Sequence, residues 1–231
     1  MQEIRKEKRD TFAAIVLSLF FGTGLFSATK GVAAEGWYLG SELMVTGIEF
    51  KPKVRFANGR ASEHFEDDAW GRGFAFIAGR QFRLLSELSL GAQARIAFND
   101  GEWTKETTNT SIRYQAPRSI ALSLLPEYRL TSALSAFGEL GVAHGHLNYR
   151  KSSRKPDSIT NYDHESDTWG YVLGLGLRWK LNSQLDMHAS YRYTAYERQH
   201  FTGRVLSGFG SESFTDSPIT SDIALGFRWL W

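Results

Sequence analysis

Cysteine is missing from all 231 residues, which excludes a disulfide framework, a thiolate metal site, a cysteine nucleophile and a cysteine-linked lipid anchor. Proline is scarce, at 5 residues, and the 22 glycines follow no three-residue period, so collagen-like and proline-rich architectures are excluded. Charge of one sign is also lacking. The formal net charge is +2, without the concentrated basic face that nucleic acid requires. No phosphate-cradling glycine loop occurs, since Gly174-Leu175-Gly176 lies inside a strand pattern, and no cofactor is implied. What is present is 42% hydrophobic and 14% aromatic residues against 23% charged, too apolar for a disordered chain. One β-barrel can use this length.

The only long uncharged run is 11–28, TFAAIVLSLFFGTGLFSA. It follows Arg5, Lys6, Lys8 and Arg9 and precedes the small residues Val32-Ala33-Ala34. A basic start, an apolar middle and a small-residue exit define a secretory leader. Residues 1–34 are therefore expected to be a cleaved signal peptide, with 35–231 as the exported domain.

After the leader, segments of about ten residues alternate between apolar and small or polar positions, the signature of a transmembrane barrel strand. In 88–98, Leu88, Leu90, Ala92, Ala94, Ile96 and Phe98 alternate with Ser89, Gly91, Gln93, Arg95 and Ala97. In 169–179, Trp169, Tyr171, Leu173, Leu175, Leu177 and Trp179 alternate with glycines, Val172 and Arg178. Segment 185–194 behaves likewise, and 37–50, 70–82, 118–130, 134–147 and 219–231 fit less tidily. Pro126 is awkward inside a strand, because it lacks a ladder donor, but it sits near a strand end, where a bulge can absorb it. The sum is eight strands. Connections 83–87, 131–133 and 181–184 are short, whereas 51–69, 99–117, 148–167 and 197–218 are long and polar. Such alternation fits an all-β, eight-stranded antiparallel up-and-down barrel with periplasmic turns and outer loops.

Charge decides which face is greasy. The polar faces carry Glu42, Glu127, Glu139, Asp186 and Asp222 with Arg95, Arg129, Arg178, Arg192 and Arg228. Each outward Arg or Lys at the bilayer midplane costs about 2–4 kcal/mol, so ten charges must point inward, where opposite signs can pair across the lumen. Aromatics fall in two bands suited to membrane interfaces: Trp37, Phe82, Tyr128, Trp179, Trp229 and Trp231 near the turns, and Trp70, Phe98, Trp169 and Tyr193 near the loops.

With its opening EGWYLG, the PEYR of the fourth strand and the closing ALGFRWLW, segment 35–231 resembles the small eight-stranded outer-membrane barrels of the OmpX/Ail type and the barrel domain of OmpA. That resemblance implies that Gly226, Trp229 and Trp231 form the terminal-strand signal read by the barrel-assembly machinery. It also implies integral placement in the bacterial outer membrane.

An eight-stranded interior is only wide enough for side chains, so the lumen is expected to be plugged and function to fall to the outer loops or the lipid-facing wall, in surface or envelope interaction or membrane integrity. Arg150, Lys151, Arg154 and Lys155 form a basic cluster suited to phosphates of lipopolysaccharide or to host surface molecules. Two alternatives compete with this non-enzymatic reading. His188-Ala189-Ser190 has the His-x-Ser spacing of lipid A deacylases, with histidine activating serine. A narrow ion channel would instead require exchange of pairs among Glu42, Glu139, Arg95 and Arg192. His144 and His146 share a strand face but lack further ligands in sequence, so no metal is expected.

Overall fold

Period-two alternation commits this chain to strands, because successive side chains must leave on opposite faces. The computed structural model describes residues 33–50, 53–56, 63–64, 67–107, 110–155, 158–204 and 211–231. The expected leader lies outside them, apart from Ala33 and Ala34, which open the first strand. In chain order the strands are β1 (Ala33–Phe50), β2 (Lys53–Phe56), β3 (Glu63–His64), β4 (Asp67–Arg83), β5 (Leu88–Asn99), β6 (Glu102–Thr107) and β7 (Thr110–Arg129). Then follow β8 (Leu134–Lys155), β9 (Ser158–Lys180), β10 (Leu185–Tyr196), β11 (Gln199–Arg204), β12 (Ser211–Asp216) and β13 (Ile219–Leu230).

Eight of them close a barrel in the order β5-β4-β1-β13-β10-β9-β8-β7, with β7 pairing back onto β5. Closure leaves no unpaired edge, which the hydrocarbon core demands. The outer wall is apolar: Leu43, Phe76, Leu140, Tyr171, Leu175 and Ile223 are all exposed. In β4, Phe74 and Phe76 face out and Ile77 faces in, as the sequence pattern requires. Arg80 is an exception on that outer face. It lies near the turn end, its guanidinium 5.3 Å from the Trp37 ring and 5.1 Å from the Phe82 ring.

Three short turns repeat one solution. Leu84, Leu130 and Leu181 each donate their backbone N–H to the carbonyl four residues on, at 2.9 Å in every case. Thr131 Oγ1 and Asn182 Oδ1 each accept from two backbone amides of their own turn. The shared pattern is a basic residue, then Leu-x-Ser-x-Leu: RLLSEL, RLTSAL and KLNSQL.

Two expectations need correction. The long connections are not simply loops. β8 and β9 run for 22 and 23 residues in continuous register from Leu134↔Trp179 to Lys155↔Ser158. That is about twice what a tilted strand needs to cross a bilayer, so their hairpin continues beyond it. β11 and β12 pair with β2 and β3 in a second, four-stranded sheet. Pairing satisfies backbone groups that an open loop would leave to water. The bulge, moreover, falls at Gln115–Arg118, where Pro117 sits, and not at Pro126. There the β7–β8 pairing skips Leu125 and Pro126 and resumes in the same register at Glu127↔Phe137.

Candidate functional site

Inward positions of β1, β5, β8, β10 and β13 bring five charges together at the centre of the lumen. Glu42 is the hub. Its carboxylate accepts from Arg95 Nε at 2.9 Å and lies 3.5 Å from Arg192 Nη1, while His188 Nε2 stands 3.0 Å from its other oxygen. Arg192 Nε donates to Glu139 at 2.9 Å, and Ser123 Oγ donates to the same carboxylate at 2.7 Å. Asp222 takes Arg95 Nη2 at 3.3 Å and Thr46 Oγ1 at 2.8 Å. Among these, Glu42, Arg95, Glu139 and Arg192 are no more than 3% exposed.

A second tier lies toward the turns. Arg178 pairs with Glu127, which also accepts from Gln81, and Arg228 pairs with Asp186 at 2.7 Å. Phe137 stands between the tiers, its ring 6.4 Å from His188 and 4.7 Å from the Arg178 guanidinium. Breaking such buried pairs is costly because one partner is left charged in a poor solvent. Nine of the ten expected lumen charges are buried in these two tiers. Arg129 is not with them. It is half-buried at the turn end, because the strand stops there and its side chain reaches the barrel mouth.

Sequence reasoning left out the neutral groups that complete the network, Thr46, Gln81, Gln93, Ser123 and Tyr38. Their signal was available, since Tyr38, Thr46, Gln93 and Ser123 each share the parity of a charge already chosen on their strand, and Gln81 shares that of the inward Ile77. It also left out why Gly226 is glycine. A Cβ there would come within 2.6 Å of the His188 ring.

The candidate catalytic pair does not meet. His188 faces Glu42, and the buried Ser190 Oγ has no hydrogen-bond partner among the described residues. Nor do the strand histidines gather ligands: His146 Nδ1 pairs with Asp167 at 2.8 Å and His144 packs on Trp169, ring centroids 4.9 Å apart. Among the described residues no group of three His, Cys, Asp or Glu could hold a metal.

Above the central cluster the interior turns apolar. Ile48, Ala69, Tyr114, Ala116, Leu147 and Tyr149 form a buried cluster at the outer end, with the Tyr114 and Tyr149 rings 6.2 Å apart. Burial pushes the Tyr114 phenol well above its ordinary range, and the carboxylate of Asp216 adds to the effect. Only a small chamber of about 20 Å³ separates this cap from Arg95, Arg192 and Asp222. Of the outer basic cluster, Arg150 pairs with Asp163 at 2.7 Å, and the side chains of Lys151, Arg154 and Lys155 lie outside the described residues.

Comparison with known proteins places this geometry. The chain is similar to the outer-membrane protease OmpT from Escherichia coli, with a TM-score of 0.56 at 8% identity, over 88% of this chain and 99% of that one. It is also similar to Neisserial surface protein A, with a TM-score of 0.45 at 17% identity, over 87% of this chain and 100% of that one. For OprG from Pseudomonas aeruginosa the TM-score is 0.49 at 14% identity, over 85% and 97% of the two chains. These likenesses concern the fold. No curated protein matches the sequence. The model of the outer membrane protein beta-barrel domain matches residues 13–229, nearly the whole chain. With its closed sheet, greasy exterior and ionised interior, this protein belongs to the outer-membrane β-barrel domain family and is an integral protein of the outer membrane.

Proposed function

We propose that this barrel is non-enzymatic, that its lumen is plugged, and that it acts through its outer β segments on surface or envelope molecules. The observation that supports this most is the Glu42 cluster, in which Arg95 and Arg192 converge on one buried carboxylate. Side chains fill the interior of an eight-stranded barrel, and paired charges held this tightly leave little reason for water or ions to pass. The accessible chemistry then lies in the outer ends of β8 and β9 and in the small outer sheet. Lipopolysaccharide phosphates and host surface molecules are the proposed partners there, with the barrel-assembly machinery reading the last strand. Cleavage of a leader at residue 34 belongs to the same reading.

Planar-bilayer recording tests the plug. A silent membrane at all voltages is the expected result, and discrete current steps would replace the plug with a narrow channel. Glutamine at Arg150, Lys151, Arg154 and Lys155 tests the recognition half, for which binding to lipopolysaccharide or to cells is expected to fall. Unchanged binding would remove that role. A lipid A-modifying enzyme is not favoured, because His188 is engaged by Glu42 on the inward face, away from lipid.

A further inference from the structure

The interior is blocked at its outer end and open at the other. Between the turns and the second ionic tier lies a polar vestibule of about 470 Å³. Its floor is formed by Arg178 and Arg228, which pair with the two carboxylates that line it, Glu127 and Asp186. Its rim carries Arg83, Arg129 and Lys180. Each of these three closes a strand on the inward parity, just before one of the Leu-x-Ser-x-Leu turns. Ser132 and Ser183, from two of those turns, add hydroxyl groups. Glu87 is a further carboxylate near Arg83 and Arg129, in an adjoining recess of about 30 Å³. With Glu87 counted, the side chains at the mouth carry five positive charges and three negative.

We infer that this vestibule is a binding site, facing the periplasm, for a compact phosphate-bearing oligoanion. Three separate strands supply the same charge at the same end of the barrel. The volume falls in the range of small-molecule sites but the lining is polar, so the occupant must itself be charged. One exposed ion pair is worth little, but an anion spanning three cations gains from each, and arginine forks match phosphate oxygens. A soluble di- or triphosphate and the phosphates of inner-leaflet headgroups share this chemistry.

The test uses the full barrel refolded in zwitterionic detergent and titrated calorimetrically with inorganic pyrophosphate, then in separate micelles with phosphatidylglycerol. Saturable binding that weakens with salt is expected in at least one arm. Saturation by pyrophosphate assigns a soluble ligand, and saturation by phosphatidylglycerol alone assigns the headgroup. In either case the variant R83Q/R129Q/K180Q is expected to lose about tenfold or more in affinity, the sum of three exposed charge contacts. These residues end strands at a solvated rim, and heat-modifiable gel migration verifies that the variant is folded. Equal binding by the folded triple variant, or no saturation in either arm, overturns the inference. The triple variant keeps the outer basic cluster intact, so its loss of binding is read independently of whatever the outer segments recognise.

Discussion

Arg192 reaches Glu139 across a glycine. Their Nε and Oε2 atoms are 2.9 Å apart, although Gly174 of β9 stands between them, opposite Glu139 on one side and Arg192 on the other. A Cβ at 174 would lie 3.1 Å from that of Glu139 and 3.3 Å from its carboxylate. Gly174→Val is therefore expected to push Glu139 off the guanidinium and leave both charges buried. A loss of about 3 kcal/mol follows from breaking a buried pair. Urea unfolding in lipid vesicles, read by tryptophan fluorescence, measures it, and an unmoved midpoint contradicts the geometry.

Glu42 gives a second prediction, on conduction. It holds Arg95, Arg192 and His188 at once, so removing it takes the shared carboxylate from two guanidinium groups, which keep Asp222 and Glu139. Glu42→Ala is expected to cost about 3–5 kcal/mol and to admit water where the carboxylate was. In planar bilayers the variant should pass current where the parent is silent. A variant that stays closed would move the seal to the outer apolar cap.

That cap makes a third prediction, with a pH dependence. Tyr114 is 2% exposed and its ring packs on Tyr149, so Tyr114→Ala should cost about 3–5 kcal/mol, as large-to-small core changes do. Burial raises the phenol's pKa, so the folded state holds its proton more tightly than the unfolded chain. The contribution is then fully present below about pH 10, where the unfolded phenol titrates, and falls as pH rises above it. Tyr114→Phe removes that titration. Between pH 9 and 11, on the order of two pH units around that pKa, the parent should lose more stability than the Phe variant does.

Most of the barrel was legible because burial imposes a period of two, and a one-residue slip would turn Glu42, Arg95 and Arg192 into lipid. What the pattern could not give is partner identity. Glu42 and Arg192 lie 150 positions apart, and only strand order and register bring them together. For Arg129, parity fixes the inward face, and its height at the end of β7 decides that it lines the turn-side mouth. The outer ends of β8 and β9 read as loops because both their faces are polar, which removes the alternation that marks a half-buried strand. Arg80 escaped notice for the opposite reason. Its neighbours are apolar, and only the Trp37 and Phe82 rings explain a cation on that wall.

The last strand separates folding from assembly. Trp231 exchanges two backbone hydrogen bonds with Trp37, at 3.2 and 3.1 Å, and so helps close the β1–β13 seam without using its side chain. Its ring is 59% exposed. Trp231→Ala should therefore refold in detergent with stability within about 1 kcal/mol of the parent, as exposed substitutions generally do. If the ring is read by the assembly machinery, the same variant should accumulate poorly as heat-modifiable barrel in cells. Gly226→Ala should fail in both settings, because its added Cβ meets the His188 ring at 2.6 Å and disturbs the group that holds Glu42. Comparing refolding yield with cellular yield for the two variants distinguishes a recognition signal from a packing requirement. Equal loss of refolding in both variants would assign Trp231 to the fold instead.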